Sequence, residues 1–130
     1  MPAPLGKTPT KKMPNIQVFG MDDSSTTRNT LRFFRERRII VHFVDLRKKP
    51  IAAGELRRFS DRLGVAALLD TESRPYREQG LAYLATDTAG IAARLLADVR
   101  LLKLPLVRYG ELVTAGKAES AWRAWLAKPG

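Results

Sequence analysis

The residues whose types and spacing could do chemistry fall in one short string, Asp22-Asp23-Ser24-Ser25-Thr26-Thr27-Arg28. Four successive hydroxyls beside a fixed positive charge suit two tasks. One is nucleophilic attack by a serine, which needs a base to take its proton. The other is the holding of an anion at a helix N-terminus, where free N–H groups carry a partial positive charge. The first is poorly supplied, because the one histidine is His42 and nothing in the sequence sets it beside Ser24. The second has Ser24, Ser25, Thr26 and Thr27 as hydroxyl donors and Arg28 as a cation, although Asp22 and Asp23 would compete for the same amides. Ser24 also has the more ordinary duty of capping the helix that it precedes.

What the chain lacks excludes more. None of its 130 residues is a cysteine, which removes disulfides, thiolate metal sites, iron–sulfur clusters and catalytic thiols together. A single histidine builds no multi-histidine metal site. Glu55, Asp61 and Asp87 read as surface or capping acids rather than a paired-carboxylate centre. Gly110 and Gly116 are isolated, so there is no glycine-rich phosphate loop.

Lysine and arginine number 23 against 13 acidic residues, a formal charge of +10, which favours acidic or polyanionic partners. Arg28, Arg32 and Arg35, at i, i+4 and i+7, form a stripe suited to an acidic protein surface or a phosphate backbone. The charges are spread along the sequence rather than gathered in an arm, so nucleic acid is the less favoured partner. No apolar run approaches the roughly 20 residues of a spanning helix, so no membrane partner is expected. No signal-like apolar segment opens the sequence, and the expected location is cytoplasmic.

The elements that must position these residues follow from periodicity. Residues 1–14 hold Pro2, Pro4, Pro9, Pro14 and three lysines and read as a flexible basic tail. Residues 15–128 read as one domain. Ile16 to Phe19 alternates and ends at Gly20, a short strand. A helix is predicted from Ser25 to Arg37, with Thr30, Leu31, Phe33 and Phe34 on its apolar arc. Ile39 to Leu46 is a second strand, apolar on both faces and therefore expected in the sheet interior. Ala52, Leu56, Phe59 and Leu63 mark a helix over 53–63, closed by Gly64, with a shorter helical piece at 65–70. Thr71 to Gly80 reads as loop, and 88–99 as helix capped by Thr86 or Asp87. Leu104 to Arg108 and Leu112 to Thr114 form a hairpin. The last helix carries Ala118, Trp122, Trp125 and Leu126 on one side. A strand–helix–strand unit wants a right-handed parallel crossover. The order therefore predicts an α/β, thioredoxin-like domain: a mixed four-stranded sheet with helices on both faces and an inserted helical block.

Several strings, in order over about 15–126, resemble the arsenate reductase and Spx-type regulator family. In that family a strand ends in an aromatic-Gly pair, a cysteine follows four residues later, a Ser or Cys sits three beyond it, and a basic residue comes next. Here Phe19-Gly20 leads to Ser24, Thr27 and Arg28. Asp45 to Pro50 with Gly54-Glu55-Leu56 is similar to the family's second strand running into its helical block. Leu68-Leu69-Asp70-Thr71, Pro75-Tyr76 and Gly80-Leu81 resemble the middle of that block. Leu101-Leu102-Lys103-Leu104-Pro105-Leu106-Val107 resembles its Leu-Ile-Lys-Arg-Pro string.

The resemblance implies a cis peptide bond at Pro105, beside backbone that pairs with an extended thiol-bearing partner. It implies either arsenate reduction with glutathione and glutaredoxin or, for Spx-type members, binding to RNA polymerase. The departures bear on which. The family's cysteine is Ser24, the arginine before its proline is Leu104, its middle-block arginine falls on Asp70, and Lys117 is the nearest basic residue for its third oxyanion-binding arginine. A serine forms none of the disulfides of a thiol redox cycle. The expectation is a redox-inactive binding protein with no catalytic residue, metal or resident cofactor. Its ligand or anion site would be Ser24, Ser25, Thr26, Thr27, Arg28 and Pro105. Its partner would be an acidic protein, RNA polymerase being the specific form, met by Arg28, Arg32 and Arg35. The alternative is a reductase in which glutathione supplies the thiol.

Overall fold

The computed structural model describes residues 15–81 and 87–127; the tail expected over 1–14 lies outside them. The first strand, β1 (Ile16–Gly20), has Ile16, Val18 and Phe19 buried and lies in the sheet interior. Helix α1 (Ser25–Glu36) follows, then β2 (Val41–Asp45) and α2 (Ala53–Leu63). A 3-10 turn at Val65–Leu68 leads to the short α3 (Arg74–Glu78), and α4 (Thr88–Ala97) runs into a second 3-10 turn at Val99–Leu101. The hairpin of β3 (Leu106–Tyr109) and β4 (Leu112–Ala115) and the final α5 (Glu119–Ala127) complete the chain. The sheet order is β2-β1-β3-β4. β2 lies parallel to β1 in a β1–α1–β2 unit, and β3 is antiparallel to both β1 and β4. This is the thioredoxin-like arrangement that the order of elements predicts.

Each face of the sheet buries its own core. On one side Ile16, Val18 and Val107 meet Phe33 and Phe34 of α1 and Trp122 and Trp125 of α5. Phe33 and Phe34 pack edge to face at 5.1 Å, and each lies 5.4 Å from Trp122. The Trp122 indole N–H donates to Thr114 Oγ1 at 2.9 Å, which satisfies the one polar atom of a fully buried ring. On the other side Phe19 and Leu106 meet Leu46, Leu56, Phe59 and the leucines of the helical block. Alternation along β1 decides which side chain joins which core.

Three expectations need correction. β2 is an edge strand, not an interior one. Its apolar residues divide between the layers: Val41 and Phe43 pack on the α1 side and Val44 on the block side. An edge strand covered on both faces has the same pattern as an interior one, and only the exposed His42 and the 85 % exposed Ile40 reveal the difference. The loop expected at 71–80 contains α3, opened by Ser73, whose hydroxyl accepts from Tyr76 N at 3.2 Å, with Pro75 in the first turn. A five-residue helix is too short to leave a periodic signal. The helix expected to reach residue 99 stops at Ala97, where Asp98 turns the backbone out of helical geometry. Among the described residues no helix is long and apolar enough to cross a membrane.

Asp98 holds that turn. Its carboxylate accepts from Arg100 Nε at 3.0 Å and Nη2 at 2.9 Å, from Arg100 N at 3.0 Å and from Gln79 Nε2 at 3.1 Å. The hydrogen bonds from the Arg100 side chain are the largest cause holding the carboxyl below its ordinary value, against a desolvation that pushes it up. A carboxyl depressed in the folded state stabilises the fold above its unfolded value, and that contribution is lost as pH falls through the lower folded value. We expect Asp98→Asn to lower the thermal midpoint at pH 7. The variant should also lose less stability than the parent between pH 5 and pH 2, as followed by circular dichroism.

Candidate functional site

The site sits where β1 runs into α1. Ser24 N donates to Met21 O at 3.0 Å, which closes a tight turn after Gly20. Ser24 is then the N-cap in extended backbone, and its Oγ accepts from Thr27 N at 3.2 Å. Asp, Ser and Thr in this stretch favour capping over continued strand because their side chains satisfy the first helical N–H groups. Thr27 is fully buried and packs directly on the end of β1. A Cβ on Gly20 would fall 2.5 Å from Thr27 Oγ1 and 2.7 Å from its Cγ2, so a side chain at position 20 collides with the first turn of α1. The Thr27 hydroxyl accepts from Met21 N at 3.4 Å.

The remaining hydroxyls form a bridge. Thr26 Oγ1 donates to the carbonyl of Leu104 at 3.0 Å and lies 3.1 Å from Ser24 Oγ. Because the single Thr26 proton goes to Leu104, the proton between the two hydroxyls is Ser24's. Ser24 thus gives its proton to Thr26 and its lone pair to Thr27 N–H. Among the described residues no base is hydrogen-bonded to the Ser24 hydroxyl, and His42 is exposed on the edge strand opposite Gln17, three residues from the Gly20 end of β1. The Leu104–Pro105 peptide is cis, as the resemblance implies, and both residues are buried.

The predicted site residues therefore meet unequally. Ser24, Thr26 and the backbone before Pro105 come together, and Ser25 lies exposed beside them. Thr27, expected to offer a hydroxyl to a ligand, is turned inward and does not. Arg28 bends back, its Nη1 donating to Asp22 O at 3.0 Å. Asp23, expected to compete for the helix amides, pairs instead with Arg47. Arg32 and Arg35 are exposed along α1. Asp70, at the family's middle-block arginine, caps a turn by accepting from Glu72 N at 3.1 Å. Lys117 and Thr26 line the same groove between α1 and α5. Among the described residues no group of histidine and acidic side chains could hold a metal ion.

One constellation escaped the sequence reading. Glu55, taken as a surface acid, lies 3.4 Å from Arg108, and both side chains are more than three-quarters buried. Arg108 also donates to Gln17, its partner in the β1–β3 register. The only sequence signal is that Gln17 and Arg108 stand at inward positions of otherwise apolar strands.

The fold and the site together define a thioredoxin-like domain with hydroxyl side chains gathered where β1 runs into α1. The ArsC family model matches residues 19–125, and the chain belongs to that family. Among solved structures, the YFFB (PA3664) protein superimposes with a TM-score of 0.79 at 20% identity, covering 85% of this chain and 97% of that one. An arsenate reductase from Vibrio cholerae gives 0.71 at 19% identity, covering 79% and 90%. An arsenate reductase (ArsC) related protein from Brucella melitensis gives 0.67 at 18%, covering 88% and 96%. These likenesses establish the fold. No curated protein matches the chain significantly.

The packing of Gly20 against Thr27 predicts a coupled pair. Gly20→Ala should cost about 1–3 kcal/mol, the usual range for an overpacked contact. In a Thr27→Ala background, where the offending Oγ1 and Cγ2 are gone, it should cost at least about 1 kcal/mol less. Urea denaturation of the four proteins of the cycle measures the difference.

Proposed function

We propose that this chain is a redox-inactive ArsC-family member that acts by binding an acidic protein partner through the basic face of α1 and the adjoining segment before β3. The observation that carries the reading is the state of the two residues that the resemblance sets at the family's cysteine and at its Ser or Cys three residues on. Ser24 and Thr27 are hydroxyls whose protons and lone pairs serve the helix cap, the Thr26 bridge and the Met21 backbone. Reduction of an oxyanion or a disulfide by a thioredoxin-like protein proceeds through a thiolate that attacks and then leaves as part of a disulfide. A serine hydroxyl attacks at neutral pH only with an activating base, and it forms no disulfide.

Binding needs no such chemistry. Arg28, Arg32 and Arg35 are exposed on α1, and Arg37 and Arg38 continue the positive run beyond its end. This charge suits steering toward an acidic surface. Transcriptional regulation through RNA polymerase in the cytoplasm is the specific form that the Spx-type resemblance suggests. Glutathione, the one cofactor that the resemblance brings with it, belongs to the alternative reading, and it would meet a Leu104 carbonyl that already accepts the Thr26 hydroxyl on one of its two lone pairs.

Two measurements on the purified protein test this. With glutathione, glutaredoxin and arsenate we expect no turnover above the uncatalysed rate; turnover that Arg28→Ala abolishes would overturn the proposal. In pull-downs from native cytosol we expect RNA polymerase subunits or another acidic protein to be retained, and the retention to be lost at high salt and in Arg28→Glu/Arg35→Glu.

A further inference from the structure

We infer that the groove between α1 and α5 is the seat of an acidic peptide segment of the partner. The inference rests on the binding reading above and gives it a location that meets the Ser24 site at Thr26 and runs away from it along α1. The groove has a volume of about 390 Å³. Its floor is Phe33 and Trp122, both buried, with ring centroids 5.4 Å apart. Its walls carry Arg32 from α1, Arg37 at the C-cap of that helix, and Lys117 and Arg123 from the α5 side, against the two acids Glu36 and Glu119.

These cations are not equivalent. Arg123 lies 3.4 Å from Glu119, so one cation and one acid cancel. Arg37 is held in place, its Nη1 donating to Phe33 O at 3.0 Å and its guanidinium 3.7 Å above the Phe33 ring. A guanidinium fixed by the fold binds a carboxylate with little further loss of side-chain freedom. Arg32 and Lys117 stand on opposite walls, and among the described residues neither has an acid within ion-pairing distance. Thr26 and Glu119 lie in the first turns of α1 and α5, whose N-termini add partial positive charge there, while the far end of the groove passes the C-terminus of α1, where Arg37 offsets the partial negative charge.

Shape selects among anions. The lining runs along α1 from Thr26 to Arg37, about 16 Å at 1.5 Å per residue. An extended chain of about five residues, at roughly 3.3 Å each, spans that length. Cations spaced along a trough with an aromatic floor match carboxylates spaced along a peptide with apolar residues between them. One compact anion would leave most of the trough unused.

The test titrates the full chain with acetyl-Glu-Leu-Glu-Asp-Leu-Glu-amide and with its Gln/Asn counterpart, following amide shifts and the Trp122 indole by NMR. We expect saturable, salt-sensitive binding of the acidic peptide alone, with shifts along α1 and at Trp122. Arg32→Glu/Lys117→Glu should weaken it at least tenfold, and Arg32→Lys should retain it, with far-UV circular dichroism confirming that each variant is folded. Affinity within twofold in the charge-reversed variant, equal binding of the neutral peptide, or tighter binding of a single-stranded oligonucleotide to these residues would overturn the inference. Peptide binding that ignores Arg32 and Lys117 but is lost in Arg28→Glu/Arg35→Glu overturns the groove and leaves the binding reading standing. No binding of any acidic peptide or protein overturns both.

Discussion

The contact on which the rest of the structure depends is the approach of Gly20 to Thr27. It removes the side chain at the end of β1 so that the first turn of α1 lies directly on the strand, with a fully buried threonine as the joint. That approach fixes where α1 begins, and so which of its residues face the sheet. Thr27, Thr30, Phe33 and Phe34 follow at helical spacing and all are buried. The next residue back, Thr26, is thereby brought to the carbonyl of Leu104, 78 positions away, and ties β3 to the same corner. One glycine thus sets the geometry in which three segments meet, through packing and hydrogen bonds with no covalent link.

The same corner shows what a change from thiol to hydroxyl does. The field at a helix N-terminus lowers a cysteine's pKa and makes it reactive. A serine there meets the same field with a hydroxyl that stays protonated, so the N–H groups gain a cap and no nucleophile results. Ser24 shows the outcome in its contacts: Thr27 N–H on its lone pair and its proton on Thr26. The Ser24 hydroxyl is thus engaged in stabilising the helix, and the binding role proposed above draws on other parts of the surface.

The backbone plan was largely legible because it rests on local signals. The capping string at residues 22–27, the i, i+3, i+7 spacing of Leu56, Phe59 and Leu63, and the Pro–strand–Gly–strand pattern around Tyr109-Gly110 each specify one element. What was illegible depends on partners distant in sequence. The edge position of β2 is a matter of strand order, which alternation does not encode. The inward turn of Thr27 depends on a glycine seven residues earlier, and Glu55 becomes a buried partner only once the β1–β3 register sets Arg108 beside Gln17. In the candidate site the helix cap could be read from residue types. The Thr26–Leu104 bridge could not, because it joins residues that nothing but the completed fold brings together.

Charge follows the same division. Along the sequence the basic residues look dispersed, but the fold sorts them. Across the helical block and hairpin, acids neutralise many cations: Arg58 and Arg108 share Glu55, Arg62 meets Glu111, Arg74 meets Glu78, and Arg100 meets Asp98. From Ser25 to Arg38, by contrast, five arginines stand against Glu36 alone. Exposed ion pairs contribute little to stability, so the paired side is explained by solubility and local order. The unpaired side needs a different account. Like charges crowded on one short helix repel one another and weaken it. An acidic surface of the kind proposed above would relieve that repulsion on contact with the helix, in proportion to the positive charge the free protein leaves uncompensated.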